Sequence, residues 1–216
     1  MMVLVPPLKA FDKCLVGLAM GSVMSGWHSL VARRNERLAF MEQATEGKTF
    51  LDMAHERWSV RRFKEEQIAE QDMAKILEAG RWAPSACNYQ PWRTLVLQSD
   101  AAIAKIRSIT GWAFNAPTVL LVCSDTAESW KCADGCDSAE MDACICTTLM
   151  MMEAWELGVG STWVRGFDER VMHAAFDLPE TWKVVAMMPM GYPADIAKPS
   201  RWHFKRKPIE ETVTFL

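Results

Sequence analysis

Three familiar nucleotide and nucleophile signatures are missing from these 216 residues: G-x-G-x-x-G after a strand, the P-loop G-x-x-x-x-G-K-[ST], and the G-x-S-x-G elbow. Their absence excludes a dinucleotide held in the Rossmann manner, a Walker-type phosphate cradle and an α/β-hydrolase nucleophile. Histidine is also scarce. His28, His55, His173 and His203 lie in unrelated contexts, so no acid–base set is assembled by motif. A chain without its own catalytic set is what remains when a cofactor carries the chemistry. There is no basic surplus either: 24 Lys and Arg stand against 27 Asp and Glu, for a net charge of -3. A nucleic-acid backbone binder normally carries the opposite balance, so nucleic acid is not an expected partner. No 20–50-residue repeat and no low-complexity linker divides the chain, which leaves one domain, or one domain plus an extension.

What is present is an ordinary globular balance, 50% apolar and 24% charged, with 15 methionines and 10 tryptophans. Methionine-rich helices point to adaptable core packing. The seven cysteines are an odd number without a disulfide-scaffold rhythm, which favours a reducing compartment and hence a cytoplasmic location. Cys132-x3-Cys136 and Cys144-x-Cys146 can be drawn as a four-thiolate metal site, but the second pair falls in a helix, where residues two apart face different ways. No metal is expected. Cys123, inside an apolar strand, reads as a small hydrophobe.

Residues 1–40 form an N-terminal extension distinct from the domain that follows. Cys14 to Ala32 carry no formal charge, but Gly17, Gly21, Gly26, Ser22, Ser25, Ser29 and His28 make the run a poor membrane span. It also lacks a clear signal-peptide cleavage site. Three readings stay open: a start placed too far upstream of Met41, a flexible N-terminal tail, or a weak membrane anchor. Intact mass of the protein from its native host separates the first from the other two.

After Met41 the pattern predicts helices over Phe50–Trp58, Glu70–Trp82, Ala101–Thr110, Asp137–Leu157 and Asp168–Phe176. Strands are predicted at Thr94–Leu97, Pro117–Cys123, Ser161–Val164 and Val184–Met190. Pro117–Cys123 is a continuous apolar run, the mark of a strand covered on both faces. The helix Asp137–Leu157 is apolar nearly all round, as a helix at the centre of a domain or dimer would be. Strands alternating with helices argue an α/β or α+β sheet sandwiched by helices.

Three blocks carry candidate chemistry. Arg57-Trp58-Ser59-Val60-Arg61-Arg62-Phe63 places guanidinium groups a few residues apart, which suits a phosphate or another planar anion. Pro84-Ser85-Ala86-Cys87-Asn88-Tyr89-Gln90-Pro91-Trp92 is a polar turn whose N–H groups and hydroxyl could meet ligand atoms, with Asn88 and Gln90 able to bond the turn itself. Gly158-Val159-Gly160-Ser161-Thr162-Trp163-Val164-Arg165-Gly166-Phe167-Asp168 is a glycine-flanked strand that lets backbone approach a ligand, with Asp168 capping the next helix. Taken singly these are a solvated basic helix end, a helix-terminating turn and a tight connection.

Together, and in this order, the blocks resemble the signature segments of the FMN-dependent nitroreductase family. The helix sequence Asp142-Ala143-x-Ile145, Met151–Gly158, Leu178-Pro179-Glu180, Met190-Gly191-Tyr192-Pro193 and Arg206–Glu211 extend the likeness over roughly Phe50 to Phe215. The resemblance implies an α+β three-layer α/β/α sandwich, its central sheet mostly antiparallel, forming an intertwined homodimer with FMN at the subunit interface. It implies that Arg57, Ser59 and Arg206, with Lys205, hold the FMN phosphate and ribityl tail beside Trp58. Arg61 would sit at the N1/O2 end of the ring, where a fixed cation raises the reduction potential. Pro84, Ser85, Ala86 and Asn88 would come from the second copy, and the backbone at Val164, Arg165 and Gly166 would donate to N5 and O4. The implied activity is reduction of a small electron-poor acceptor, such as a nitroaromatic or quinone, by NADH or NADPH through ping-pong kinetics. Reductive dehalogenation or flavin processing on the same scaffold, or a non-catalytic flavin- or metal-binding module, are the alternatives. Arg165 departs from the small or acidic residue common at its position, and the segment Trp130–Glu140 matches no family pattern.

Overall fold

A computed structural model describes residues 49–216 of the chain. The uncharged run Cys14–Ala32 and the candidate start at Met41 lie outside the described residues. The elements, in chain order, are α1 (Phe50–Glu56), α2 (Glu70–Arg81), β1 (Trp92–Leu97), α3 (Asp100–Ile109), β2 (Thr118–Asp125), α4 (Ala139–Glu156), β3 (Gly160–Ser161), α5 (Glu169–Phe176) and β4 (Trp182–Gly191). Most differ from the predicted bounds by only one or two residues at their ends. The exception is Ser161–Val164: the strand shortens to Gly160–Ser161, and Val164 forms an isolated bridge to Met187.

The strands form one sheet in the order β1-β2-β4-β3, and every named neighbour pair is antiparallel. All eight residues of β2 are buried: the apolar run Val119–Cys123 requires it of the middle, and the polar Thr118, Ser124 and Asp125 are buried at the two ends. Side chains alternate across it. Leu120 and Val122 join a core with Met73 and Ile76 of α2 and Ala143, Cys146 and Met150 of α4. Val119, Leu121 and Cys123 join a second core with Ile103 and Ile106 of α3 and Met172 of α5. Helices therefore cover both faces, and the domain is an α+β three-layer sandwich.

One feature of β4 is not readable from its apolar sequence. The register with β2 shifts between Val122 and Cys123, whose partners are Ala186 and Val184. Val185 is the extra residue of a bulge, which reverses the alternation. As a result Val184 and Met187, three apart, enter one core, while Val185 and Met188 enter the other.

Methionine fills both cores, as its abundance predicts: Met150, Met172, Met187, Met188 and Met190 are almost wholly buried. The close approach of α2 to α4 depends on Gly80, where a Cβ would lie 2.7 Å from Met150 Cγ. Ser99 caps α3 by accepting from Ala102 N at 3.3 Å. Asp168 caps α5 as expected, accepting from Arg170 N at 2.9 Å. α4 is less fully enclosed than its sequence suggests, because Met141 (61%) and Ile145 (38%) face solvent in the single chain. No helix among the described residues is long and apolar enough to cross a membrane.

Candidate cofactor site

The first basic block leaves α1 and becomes an extra rung on the edge of the sheet. Arg57 N closes the helix on Met53 O at 2.8 Å, and Val60 N then donates to Ser161 O at 3.0 Å, with Ser59 in a parallel bridge to Ser161. Further along, Lys64 N donates to Tyr192 O and Ala194 N to Arg62 O. Val60 is fully buried, so the residues on either side of it turn outward.

Gly160 makes this pairing possible. A Cβ there would lie 2.5 Å from Val60 Cγ2 and 3.1 Å from Pro193 Cγ. The close backbone approach expected at this glycine is therefore made to Val60 and Pro193, within the protein. Gly158 has a different reason: its φ of +76° is a left-handed conformation, and nothing lies within 4 Å of its would-be Cβ.

Arg57, Trp58, Ser59 and Arg61 form one wall of a cleft of about 230 Å³, whose other wall is Ser200, Trp202, His203 and Arg206. The second wall is a single 3-10 turn, Arg201–Phe204, started by Ser200, whose Oγ accepts from Trp202 N. Arg206 is braced by its Nη1 donating to Lys205 O at 2.8 Å and Trp202 O at 3.3 Å. Burial, and next the like charge of Arg206, hold the Arg57 guanidinium below its ordinary value. Among the described residues, no carboxylate lies within ion-pair distance of Arg57, Arg61 or Arg206. Two guanidinium groups with no carboxylate partner among the described residues, beside a serine hydroxyl, are a donor set for a dianionic phosphate. Lys205 stands just outside the cleft, its Nζ 4.8 Å from the Trp202 ring centroid.

The cleft opens past Ser59 and Arg61 into a shallower space of about 460 Å³ reaching Ile196 and Lys198. Arg61 lies 5.9 Å over the Phe114 ring, and Phe114 meets Trp112 edge-on at 5.8 Å. A Cβ on Gly166 would lie 3.4 Å from Trp112 Nε1, so these aromatic rings join Arg61 to the third block. Within that block, Val164 is committed to the fold: it exchanges both backbone bonds with Met187, at 2.9 and 3.0 Å, and its side chain is buried in the second core. Arg165 and Gly166 are exposed, and their N–H groups donate to no described residue. Arg165 pairs with Glu169 at 3.6 Å and lies over Phe167, which draws its charge aside.

Pro84, Ser85, Ala86 and Asn88 lie apart from this cleft, between α2 and β1. The turn uses much of its own polarity: Gln90 N donates to Ser85 Oγ, Gln90 Nε2 to Asn88 O, and Ala86 N to Asp142 Oδ1 of α4. Among the described residues, nothing bonds the Asn88 side chain or takes the Ser85 hydroxyl proton.

The cleft also contains residues that the sequence patterns did not mark, namely Ser200, Trp202 and His203. A tryptophan and a histidine inside the basic run Arg201–Lys207 were the available signal. The thiols of the four-thiolate sketch do not converge. Cys132 and Cys136 form a disulfide on the loop before α4, a pairing their spacing does not announce, while Cys144 and Cys146 are free.

Comparison with known proteins agrees with this architecture. The Nitroreductase family model matches residues 54–116 and 107–192. The chain is 30% identical over 152 residues to an Archaeoglobus fulgidus protein provisionally named an NADH dehydrogenase/NAD(P)H nitroreductase, covering 67% of this chain and 86% of that one. A solved nitroreductase family protein from Clostridium difficile 630 superposes with a TM-score of 0.73 at 31% identity, over 78% of this chain and 98% of that chain. A structure from Exiguobacterium sibiricum 255-15, determined in complex with FMN, shares the fold with a TM-score of 0.68 at 20% identity, over 79% and 98% of the two chains. The chain belongs to the nitroreductase family.

Proposed function

We propose that the protein is an FMN-dependent oxidoreductase that uses NADH or NADPH to reduce a small electron-poor acceptor, of which nitroaromatics and quinones are the leading classes. The observation that carries this reading is the pair Arg57 and Arg206, facing one cleft without a carboxylate partner among the described residues. The donor set fits a phosphomonoester. The cleft volume fits the tail of a mononucleotide, falling short of the roughly 300–1,000 Å³ of a complete small-molecule site. The ring therefore needs further walls.

Arg57, Arg206 and the Ser59 hydroxyl would hold the phosphate and ribityl chain, with Lys205 adding positive charge at the rim. Arg61 would face the pyrimidine end of the ring system, and the unpaired N–H groups of Arg165 and Gly166 would donate to its polar edge. The remaining wall would be the Pro84–Asn88 turn of a second copy, in a homodimer that covers the exposed Met141 and Ile145 of α4. FMN held there would supply two-electron, hydride-level chemistry linking the nicotinamide donor to the acceptor. The protein's part is to bind, orient and keep water from the ring. A cytoplasmic location belongs to the same reading.

The test is retention of flavin and its response to donor. Purified protein mixed with FMN should stay yellow after ultrafiltration and bleach with NADH or NADPH under nitrogen, then recover colour with a nitroaromatic or quinone. Riboflavin, which lacks the phosphate, should wash out. Equal retention of riboflavin and FMN would refute the arginine assignment.

A further inference from the structure

The Pro84–Asn88 turn is held from behind by one buried carboxylate. Asp142 is 3% exposed in the first turn of α4. Its Oδ1 accepts from Ala86 N at 3.1 Å, and its Oδ2 accepts from Ser138 Oγ at 2.7 Å. Ser138 is itself fixed, its N donating to Trp130 O at 3.0 Å and its carbonyl accepting from Asp142 N at 2.9 Å. The loop between Trp130 and Ser138 is closed by the Lys131–Asp137 ion pair, by Cys132 N donating to Cys136 O, and by the Cys132–Cys136 disulfide. The carboxylate thus has a braced support on one side and the turn on the other.

A carboxylate is rarely buried unless its bonds matter, because desolvation is costly. Around it, the buried side of α4 is apolar or small (Ala139, Ala143, Cys146, Met150), and the one other buried polar side chain of the helix, Thr147, bonds back to Ala143 O within it. A leucine would suit that setting if packing were all that Asp142 supplied. The turn, for its part, needs an external hold. Cys87, Asn88 and Gln90 adopt positive φ angles of 49°, 59° and 53°, which residues with a Cβ enter only at some cost. Its internal bonds (Asn88 N to Ser85 O, Tyr89 N to Ala86 O, Gln90 N to Ser85 Oγ) tie the turn only to itself. Among the described residues, the Ala86 N–H is the hydrogen bond by which residues 84–88 reach α4.

We infer that Asp142 is a positioning residue for the cofactor site: by fixing the Ala86 peptide, it sets how the Ser85 hydroxyl and the Asn88 amide are presented to the flavin of the other copy. This rests on the flavin reading above. Asp142 itself touches neither cofactor nor substrate.

Amide hydrogen exchange in the FMN-free protein and FMN titration of the same samples test it together. Asp142→Ala should speed exchange at Ala86 by about tenfold or more, as expected for loss of a charge-assisted bond. Exchange at Val122, in the middle of β2, should not change. FMN affinity should fall by about tenfold in parallel. Asp142→Asn should stay within about threefold on both measures, because its amide oxygen can still accept from Ala86 N and its NH₂ can donate to Ser138 Oγ. If Asp142→Ala does not fold, Asp142→Ser keeps a polar group too short to reach Ala86 and carries the same expectations. Unchanged Ala86 exchange in a folded Asp142→Ala or Asp142→Ser protein would overturn the inference, as would damage from Asp142→Asn equal to that from Asp142→Ala. Faster exchange with unaltered FMN affinity would also overturn it while leaving the flavin reading intact. A wild-type protein that binds no FMN would bring down both, with the exchange data still deciding whether Asp142 holds the turn.

Discussion

Residues 57–61 and residues 84–88 are two of the stretches proposed to hold the cofactor, and they are secured in opposite ways. The first is stitched by backbone: Val60 N to Ser161 O, the Ser59–Ser161 bridge, and a buried Val60 seated in the space that Gly160 leaves. Among the described residues, the second is tied to the helices by one side-chain carboxylate, Asp142, and it carries two left-handed residues that are not glycine, Cys87 and Asn88. A wall fixed by backbone lets its outward side chains be exchanged without loosening it, so its chemistry and its stability can be changed independently. A turn fixed by one side chain cannot separate the two.

The largest expected effect comes from stripping the first wall of its charge. Arg57→Ala combined with Arg206→Ala removes two charge-assisted contacts worth about 1.5–3 kcal/mol each, so FMN should bind at least about 100-fold more weakly. The thermal midpoint of the FMN-free protein should hardly move, since removing Arg206 also removes a repulsion that Arg57 feels. A large loss of stability in that double variant would break the comparison.

Gly160→Ala makes the converse change. The new Cβ would lie 2.5 Å from Val60 Cγ2, and overpacking of this kind costs about 1–3 kcal/mol. Calorimetry should show a lower midpoint, and flavin affinity should fall as the Arg57–Arg61 wall shifts, although no charged group has been touched. At Gly80 the obstructing atom belongs to the flexible Met150 side chain, so Gly80→Ala should be tolerated better than Gly160→Ala.

The thiols report on the second stretch. Burial pushes Cys146 up to about 12, and burial and then Glu169 push Cys123 up to about 12. The thiolate is the reactive form; at pH 8 only about one in ten thousand of such groups carries it. Cys87 is exposed in the turn. A maleimide at pH 8 should therefore modify Cys87 and leave Cys123 and Cys146 untouched, as read by peptide mass. FMN should slow the Cys87 reaction if the turn closes over the ring; labelling indifferent to FMN would count against that placement. The smallest expected effect is that of Cys87→Gly. It relieves a φ of 49° but adds chain entropy to the unfolded state, for a net change of at most about 1 kcal/mol by chemical denaturation.

Much of this arrangement could be read from residue order, because the local signals were strong. An apolar run with no polar interruption specified β2, and the spacing of Met73, Ile76 and Gly80 specified the buried face of α2. The arginines were readable as a candidate site only in company, because alone the cluster is a solvated basic helix end and the order of the other blocks is what pointed to a mononucleotide. Asp142 was marked only as part of a family-like helix segment; its role was hidden because one acid in a methionine-rich helix looks like a surface residue until its depth is known. Gly160 was read as room for a ligand when the space belongs to Val60, a neighbour 100 positions away in sequence. The bulge at Val185 left no trace, since both faces of β4 are apolar and either alternation satisfies the sequence.

Methionine is spread very unevenly across this architecture. Met187, Met188 and Met190 have no exposed surface, whereas Met141, one position before the buried carboxylate, is 61% open in the isolated chain and the most accessible thioether among the described residues. Among the methionines of the described residues, peroxide should convert that sulfur to the sulfoxide first. If two copies clasp along α4 as proposed, the same atom becomes shielded, so its oxidation rate serves as a built-in gauge of assembly that needs neither a label nor a flavin.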